Sequence, residues 1–155
     1  MMLTDLDFGL LGRPLLAVVL GALIGWERRY QHHIESQIRT FAAVALGACT
    51  FGMVSMIAAG DKAPPTMISA QVVSAIGFLG AGVIFHDRDR TTGLATAALL
   101  WATASVGLAL AHGLYILGVG NALAIFAVRH FPSLFRQKYI EDKTKPAGDQ
   151  DSPGS

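Results

Sequence analysis

Charge is scarce in this sequence. Only 15% of its 155 residues are Asp, Glu, Lys or Arg, against roughly 25% in a soluble domain. The formal net charge is +1 and the basic residues are scattered, which excludes a nucleic-acid binder built on a basic face. There is one cysteine, Cys49, so no disulfide framework forms within the chain. Polar low-complexity sequence is missing from most of the length. Hydrophobic residues make up 52% and mean hydropathy is +0.47, which excludes disorder throughout. No Ser/His/Asp or Cys/His set stands in a supporting context, and no phosphate-binding loop is present. Nothing here marks an enzyme.

What the sequence has is long apolar runs broken by short charged clusters. A helix crosses the hydrocarbon with about 20 mostly apolar residues. Leu10 to Trp26 is apolar apart from Arg13 and Pro14, and it ends at Glu27-Arg28-Arg29. Thr40 to Gly60 and Met67 to Phe85 carry no charge. Leu94 to Val128 is a 35-residue uncharged stretch, about twice one crossing, with His112-Gly113 near its middle to make a turn. The expectation is an all-α polytopic membrane protein, a bundle of five helices spanning about 10–28, 40–60, 67–86, 94–111 and 114–130. Residues 1–9 form an extracytoplasmic segment in this reading, and 131–155, rich in Lys, Asp, Pro, Gly and Ser, a largely disordered cytoplasmic tail. The acidic lead, with Asp5 and Asp7, argues against a cleavable signal peptide.

Charge placement tests the count. Five spans put Arg28, Arg29, Arg39, Arg88, Arg90, Arg129, Arg136, Lys138, Lys143 and Lys145 on one side, and only Arg13 and Lys62 on the other. The side rich in Lys and Arg is cytoplasmic, so the N-terminus is predicted outside and the C-terminus inside.

Helical spacing sorts each span into faces. Ala17, Gly21 and Gly25 share a stripe in the first span, opposite Leu15, Val19, Leu23 and Trp26. In the second, Arg39, Ala43, Gly47 and Thr50 align. In the third, Ala70, Ser74, Gly77 and Ala81 oppose Val72, Ile76, Leu79 and Val83, and Gly80 and Gly82 enlarge the small-residue set. In the fourth, Thr92, Thr96, Thr103 and Gly107 align opposite Leu94, Trp101 and Leu108. Small faces let helices approach closely, and bulky ones suit lipid. The small faces are therefore expected inside the bundle, either as tight packing or as the wall of a hydrated ion path. Gly77→Leu and Gly21→Leu are then expected to disrupt assembly, and Val72→Leu to be nearly silent.

No charged residue lies at the middle of a span, where ion pathways usually leave one. A ring of charge sits instead at the cytoplasmic ends: Glu27, Arg28, Arg39 and Asp87. It reads either as a belt of surface pairs, each worth under about 1 kcal/mol, or as a partly buried network around a cation or partner. Glu27 and Asp87 are the candidate metal-binding acids, with Mg²⁺ as possible ligand or substrate and no other cofactor. His32-His33 with Glu35 and His86-Asp87 with Asp89 are weaker metal candidates, which read first as ordinary solvated loops. Cys49, Gln71 and Asn121 read as packing or inter-helix bonding residues.

Four segments carry a family resemblance. The run Gln71-Val72-Val73-Ser74-Ala75-Ile76-Gly77-Phe78-Leu79-Gly80-Ala81-Gly82-Val83-Ile84-Phe85 resembles the signature of the MgtC/SapB membrane proteins. Gly21-Ala22-Leu23-Ile24-Gly25-Trp26-Glu27-Arg28 is similar to that family's end of the first helix. Ile38-Arg39-Thr40 with Ala43-Val44-Ala45-Leu46-Gly47 resembles its second-helix start, and Gly93-Leu94-Ala95-Thr96-Ala97-Ala98 through Trp101 its fourth. The likeness covers roughly residues 10–130. Ala75 stands where the family commonly has Gly, and Thr92 where an Arg often precedes the Gly-Leu pair. Several members continue into a soluble ACT-like domain, whereas here only a short tail follows.

The resemblance implies a multi-pass protein of the bacterial inner membrane linked to magnesium homeostasis and, in some pathogens, to survival inside host cells. Two activities are consistent with it. One is a non-enzymatic regulator that contacts a larger membrane complex through its helices, or assembles as a homo-oligomer in the bilayer. The other is a small oligomeric transporter or channel for Mg²⁺ or another cation. A divalent-cation path calls for carboxylates at membrane depth, and their absence favours the regulator.

Overall fold

The computed structural model describes residues 3–26, 34–59, 64–87 and 90–128, with side chains described for 10–26, 37–59, 64–86 and 91–128. Uncharged stretches rich in Ala, Leu and Val become helices. α1 runs Leu3–Trp26, α2 Ile34–Ala58, α3 Met67–Gly82 and α4 Leu94–Ala111, and α5 is Tyr115–Val128. Between α3 and α4 lie β1 (Phe85–Asp87) and β2 (Arg90–Thr92). They pair antiparallel, with Phe85 opposite Thr92, His86 opposite Thr91 and Asp87 opposite Arg90.

Among the described residues the helix order and number match the sequence reading; several boundaries differ. Helix α1 begins at Leu3, so residues 3–9 continue the helix rather than preceding it. Helix α2 begins at Ile34, ahead of the uncharged stretch. Helix α3 stops at Gly82 instead of near 86. The Val83 amide bonds the Gly80 carbonyl at 3.2 Å and the Ile84 amide bonds that of Ala81 at 3.2 Å; this closes the last turn before the chain enters β1. The expected tail, 131–155, lies outside the described residues.

Two glycines fix the connections. Gly113 has φ +73 and makes the turn between α4 and α5, a backbone state that Gly enters without penalty. Gly93 has φ +90 at the N-cap of α4, and a Cβ there would collide with the Val83 carbonyl oxygen. The hairpin therefore folds back tightly on the end of α3.

Close approaches show how the helices run. A Cβ on Gly21 would sit 2.6 Å from the Phe41 carbonyl oxygen and 2.9 Å from Ala45 Cβ, and one on Gly25 would sit 2.7 Å from Ile38 Cα. This pairing makes α1 and α2 antiparallel. Gly107 lies against Ala45 and Cys49, and Gly52 against Ala111 and Leu108, so α2 and α4 run parallel. Gly118 packs on Leu110 of the antiparallel α4–α5 pair. All five helices thus alternate in direction. One end gathers Trp26, the start of α2 and the hairpin; the other gathers the start of α1, the end of α2 and the α4–α5 turn. Phe41, Ile24, Leu110, Val106, Thr103 and Cys49 are the largest fully buried side chains, in a core centred on α2 and α4.

Many outward-facing residues are large and apolar. Ile116 is 92% exposed and Phe78 80%, with Leu11, Leu15, Phe51 and Ile57 also exposed. So large an apolar surface marks contact with lipid or protein. Gln37–Ala58 and Leu94–Ala111 are long and apolar enough to cross a membrane by length and composition; Leu10–Trp26, Met67–Gly82 and Tyr115–Val128 are apolar and shorter.

Candidate functional site

The charged ring is described in part. Glu27 and Arg28 lie outside the described residues, directly after Trp26. Arg39 is exposed near the start of α2. The Asp87 backbone is in β1, paired with Arg90. The hairpin therefore brings the Asp87 position to the same end as Arg39. His86 lies in the same strand, and its Nδ1 meets Thr91 Oγ1 at 2.8 Å across the ladder. That contact engages one of the two ring nitrogens a metal could take. His32, His33 and Asp89 lie outside the described residues. No group of three His, Cys, Asp or Glu comes together among the described residues.

The glycine faces divide by helix. Gly21 and Gly25 are buried against α2 backbone. Leu15, Val19, Leu23 and Trp26, on the other side of α1, are exposed. Thr103 is fully buried, and its hydroxyl donates to the Leu99 carbonyl at 2.8 Å, so it serves its own helix rather than a path. Thr96 is half-buried.

Helices α2 and α3 correct the sequence reading. On α2, Arg39, Ala43 and Thr50 are exposed and Gly47 has open space beside it, while Phe41, Ala45, Ala48 and Cys49 face the core. On α3 Leu79 is exposed as expected and Val83 is half-buried, but the other residues of the two faces change places. Val72 and Ile76, expected in lipid, are buried with Ser69 and Gly80. Ala70, Ser74, Gly77, Ala81 and Gly82 are exposed, and a Cβ on Gly77 or Gly82 would meet nothing within 4 Å. The reason is that α3 sits at the rim of the bundle and touches it along one narrow strip. Gly80 approaches Ala97 (3.5 Å from a built Cβ), and Val72 and Ile76 pack with Ala48 and Ala104. A rim helix needs one bulky strip for its own chain, which leaves the small stripe outside. Gln71 is exposed on the same helix, and Cys49 is buried 3.9 Å from Met53 Sδ.

The polar side chains inside the bundle cluster away from the hairpin. Arg13 Nη1 donates to the Ala111 carbonyl at 2.8 Å and Nε to Tyr115 Oη at 3.1 Å. A cation there satisfies a carbonyl left open at the C-terminus of α4 and complements its dipole. Ser55 Oγ donates to the Pro65 carbonyl at 2.8 Å and accepts the Ile68 amide at 3.0 Å, so α2 caps the start of α3. Ser69 Oγ lies 3.3 Å from His112 Nε2. Asn121 Nδ2 donates to Ser105 Oγ at 3.3 Å, and Ser105 Oγ donates to the Ala102 carbonyl at 2.7 Å. Arg13 and Ser55 escaped the sequence reading as structural anchors because, Tyr115 apart, their partners are backbone carbonyls and amides, which carry no residue-specific signal.

The MgtC family model matches residues 15–137. Protein MgtC of Brucella abortus is 48% identical over 98 residues, covering 63% of this chain and 40% of that protein. Protein MgtC of Salmonella typhimurium is 46% identical over 110 residues, covering 71% and 45%. An uncharacterized protein of Haemophilus influenzae is 35% identical over 143 residues, covering 86% and 59%. The chain thus spans about half the length of the curated relatives it matches. No solved structure matches. The family match takes in all of α2 to α5 and the second half of α1. With its exposed apolar helices this is a membrane protein, and it belongs to the MgtC family.

Proposed function

We propose that this chain is a non-enzymatic, Mg²⁺-linked regulator in the bacterial inner membrane that acts by docking its helices on a larger membrane complex. It crosses five times, with the N-terminus outside and the hairpin end in the cytoplasm. The observation that carries this reading is the outer face of α3. Ser74, Gly77 and Ala81 are exposed, and Gly77 has open space where a side chain would be. Small residues spaced this way are how membrane helices approach one another closely. This helix also holds most of the run that resembles the family signature. The uncharged spans support the same reading: residues 40–60, 67–85 and 94–128 hold no Asp or Glu, whereas a divalent-cation path calls for such groups at depth.

The test pairs purification with transport. Tagged wild-type protein from native membranes is expected to bring down a membrane complex at low Mg²⁺, and Gly77→Leu to lose it with folded yield unchanged. Purified protein in sealed liposomes is expected to give no Mg²⁺ flux. Flux abolished by Glu27→Gln would overturn the proposal and make the charged ring a transporter's gate.

A further inference from the structure

Two cavities share one polar pair. The first, about 410 Å³, lies over α4 between α3 and α5, where Ser69, Val73, Ser105, Leu117 and Asn121 line it. The second, about 330 Å³, lies between α4 and α5, lined by Ala98, Ala102, Ala124 and Val128 and again by Ser105 and Asn121. Together they form a groove along most of α4. Its floor is small: Ala98, Ala102, Ser105 and Ala109 recur at helical spacing. Its α5 wall, Leu117, Asn121, Ala124 and Val128, repeats at the same spacing. Helix α5 turns Gly118, Ala122 and Ile125 to its own chain, so this wall is a second face.

Asn121 sits halfway along α5, and Nδ2 to Ser105 is its one hydrogen bond among the described residues. The carbonyl oxygen and the second N–H are left to the groove. An amide left unpaired in hydrocarbon is costly, so the occupant must offer both a donor and an acceptor at this depth. No Asp, Glu, Lys or Arg lines the groove, and the one titratable ring in its lining, His112, lies against Ser69; this disfavours a charged partner group.

We propose that a second copy of this chain fills the groove, α5 against α5 about a two-fold axis along the membrane normal, with Asn121 bonded to Asn121 of the copy. An amide is its own complement, since it carries donor and acceptor together. The two-fold brings the second Asn121 to the same depth by symmetry, a match that an unrelated helix meets only by chance. The small floor lets the incoming helix approach α4 closely. Ser74, Gly77 and Ala81 of the α3 face proposed above do not line the groove; only Ala70, at the start of that stripe, borders it.

The experiment is disulfide trapping of the full chain in native membranes, in a Cys49→Ser background, with two epitope tags co-expressed. Ala124→Cys is expected to give a band of twice the monomer mass carrying both tags. Ile116→Cys, 92% exposed and outside the groove, is expected to give none. Adding Asn121→Leu is expected to lower trapping at position 124 roughly tenfold, with Asn121→Gln restoring it. Trapping at 124 no greater than at 116, or a band that joins one tag to a different protein, overturns the proposal. So does trapping that Asn121→Leu leaves unchanged. The first arm keeps the native Asn121 and is unaffected by any folding defect of the Asn121 variants.

Discussion

Gly107 has room for a hydrogen and nothing more, because a Cβ there would collide with the Ala45 carbonyl oxygen and press on Ala48. Both obstacles belong to α2, one of them backbone, so neither moves cheaply. Gly107→Ala is expected to lower stability by about 1–3 kcal/mol, read by SDS titration of the reconstituted protein. Gly21→Leu, aimed at Phe41 and Ala42, is expected to abolish folded yield. Gly77→Leu, with open space beside it, is expected to leave folded yield unchanged. Val72, buried at 8% exposure, is expected to be sensitive to Val72→Leu, the reverse of what the stripe alone suggests. Loss of folded yield for Gly77→Leu would show that α3 packs differently. Gly21 and Gly25 were legible because Leu15, Val19, Leu23 and Trp26 lie opposite them and are exposed. Gly77 was not, because a small stripe looks the same whether its partner helix is in this chain or another. Lipid and protein are both apolar, so hydrophobic periodicity does not separate the two faces.

Elements were legible where charge punctuates the sequence. The uncharged stretches gave five helices in order, and His112-Gly113 marked the α4–α5 turn, where Gly113 has φ +73. The hairpin was hidden. Three-residue strands around a charged turn have no pattern distinct from a solvated loop, and pairing across Phe85–Thr92 is a property of two segments at once. The joints between elements rest on few groups. Ser55 takes the Ile68 amide and gives its proton to Pro65. Ser55→Ala leaves both unpaired and is expected to lower stability by roughly 1–3 kcal/mol, with proteolysis in the 58–67 connection rising in step. Unchanged proteolysis would remove Ser55 from its capping role. Arg13 ties α1 to the end of α4 and lies 5.9 Å from the Tyr115 ring centroid. Arg13→Leu is expected to loosen α5, while Arg13→Lys, lacking the planar fork, is expected to recover only part of that loss. Chymotrypsin protection of the α4–α5 turn, at Leu114 and Tyr115, reads both.

At the scale of the molecule, alternation makes orientation a single binary choice. All five helices reverse in turn, so fixing one end fixes the other. The sequence puts Arg39, Arg88 and Arg90 at the hairpin end, and the structure puts Arg13 at the opposite end, against Ala111 and Tyr115. In the topology proposed above, the bias in Lys and Arg puts the hairpin end in the cytoplasm. In a Cys49→Ser background, Leu114→Cys, 52% exposed at the α4–α5 turn, is expected to react with a membrane-impermeant maleimide in intact spheroplasts. Thr92→Cys, exposed on β2, is expected to react only after permeabilisation. The opposite pattern would invert the protein and place the charged ring outside, in contact with external rather than cytoplasmic Mg²⁺. Labelling of both positions in intact spheroplasts would break the alternation itself, because two ends of one antiparallel bundle that spans the bilayer cannot share a side.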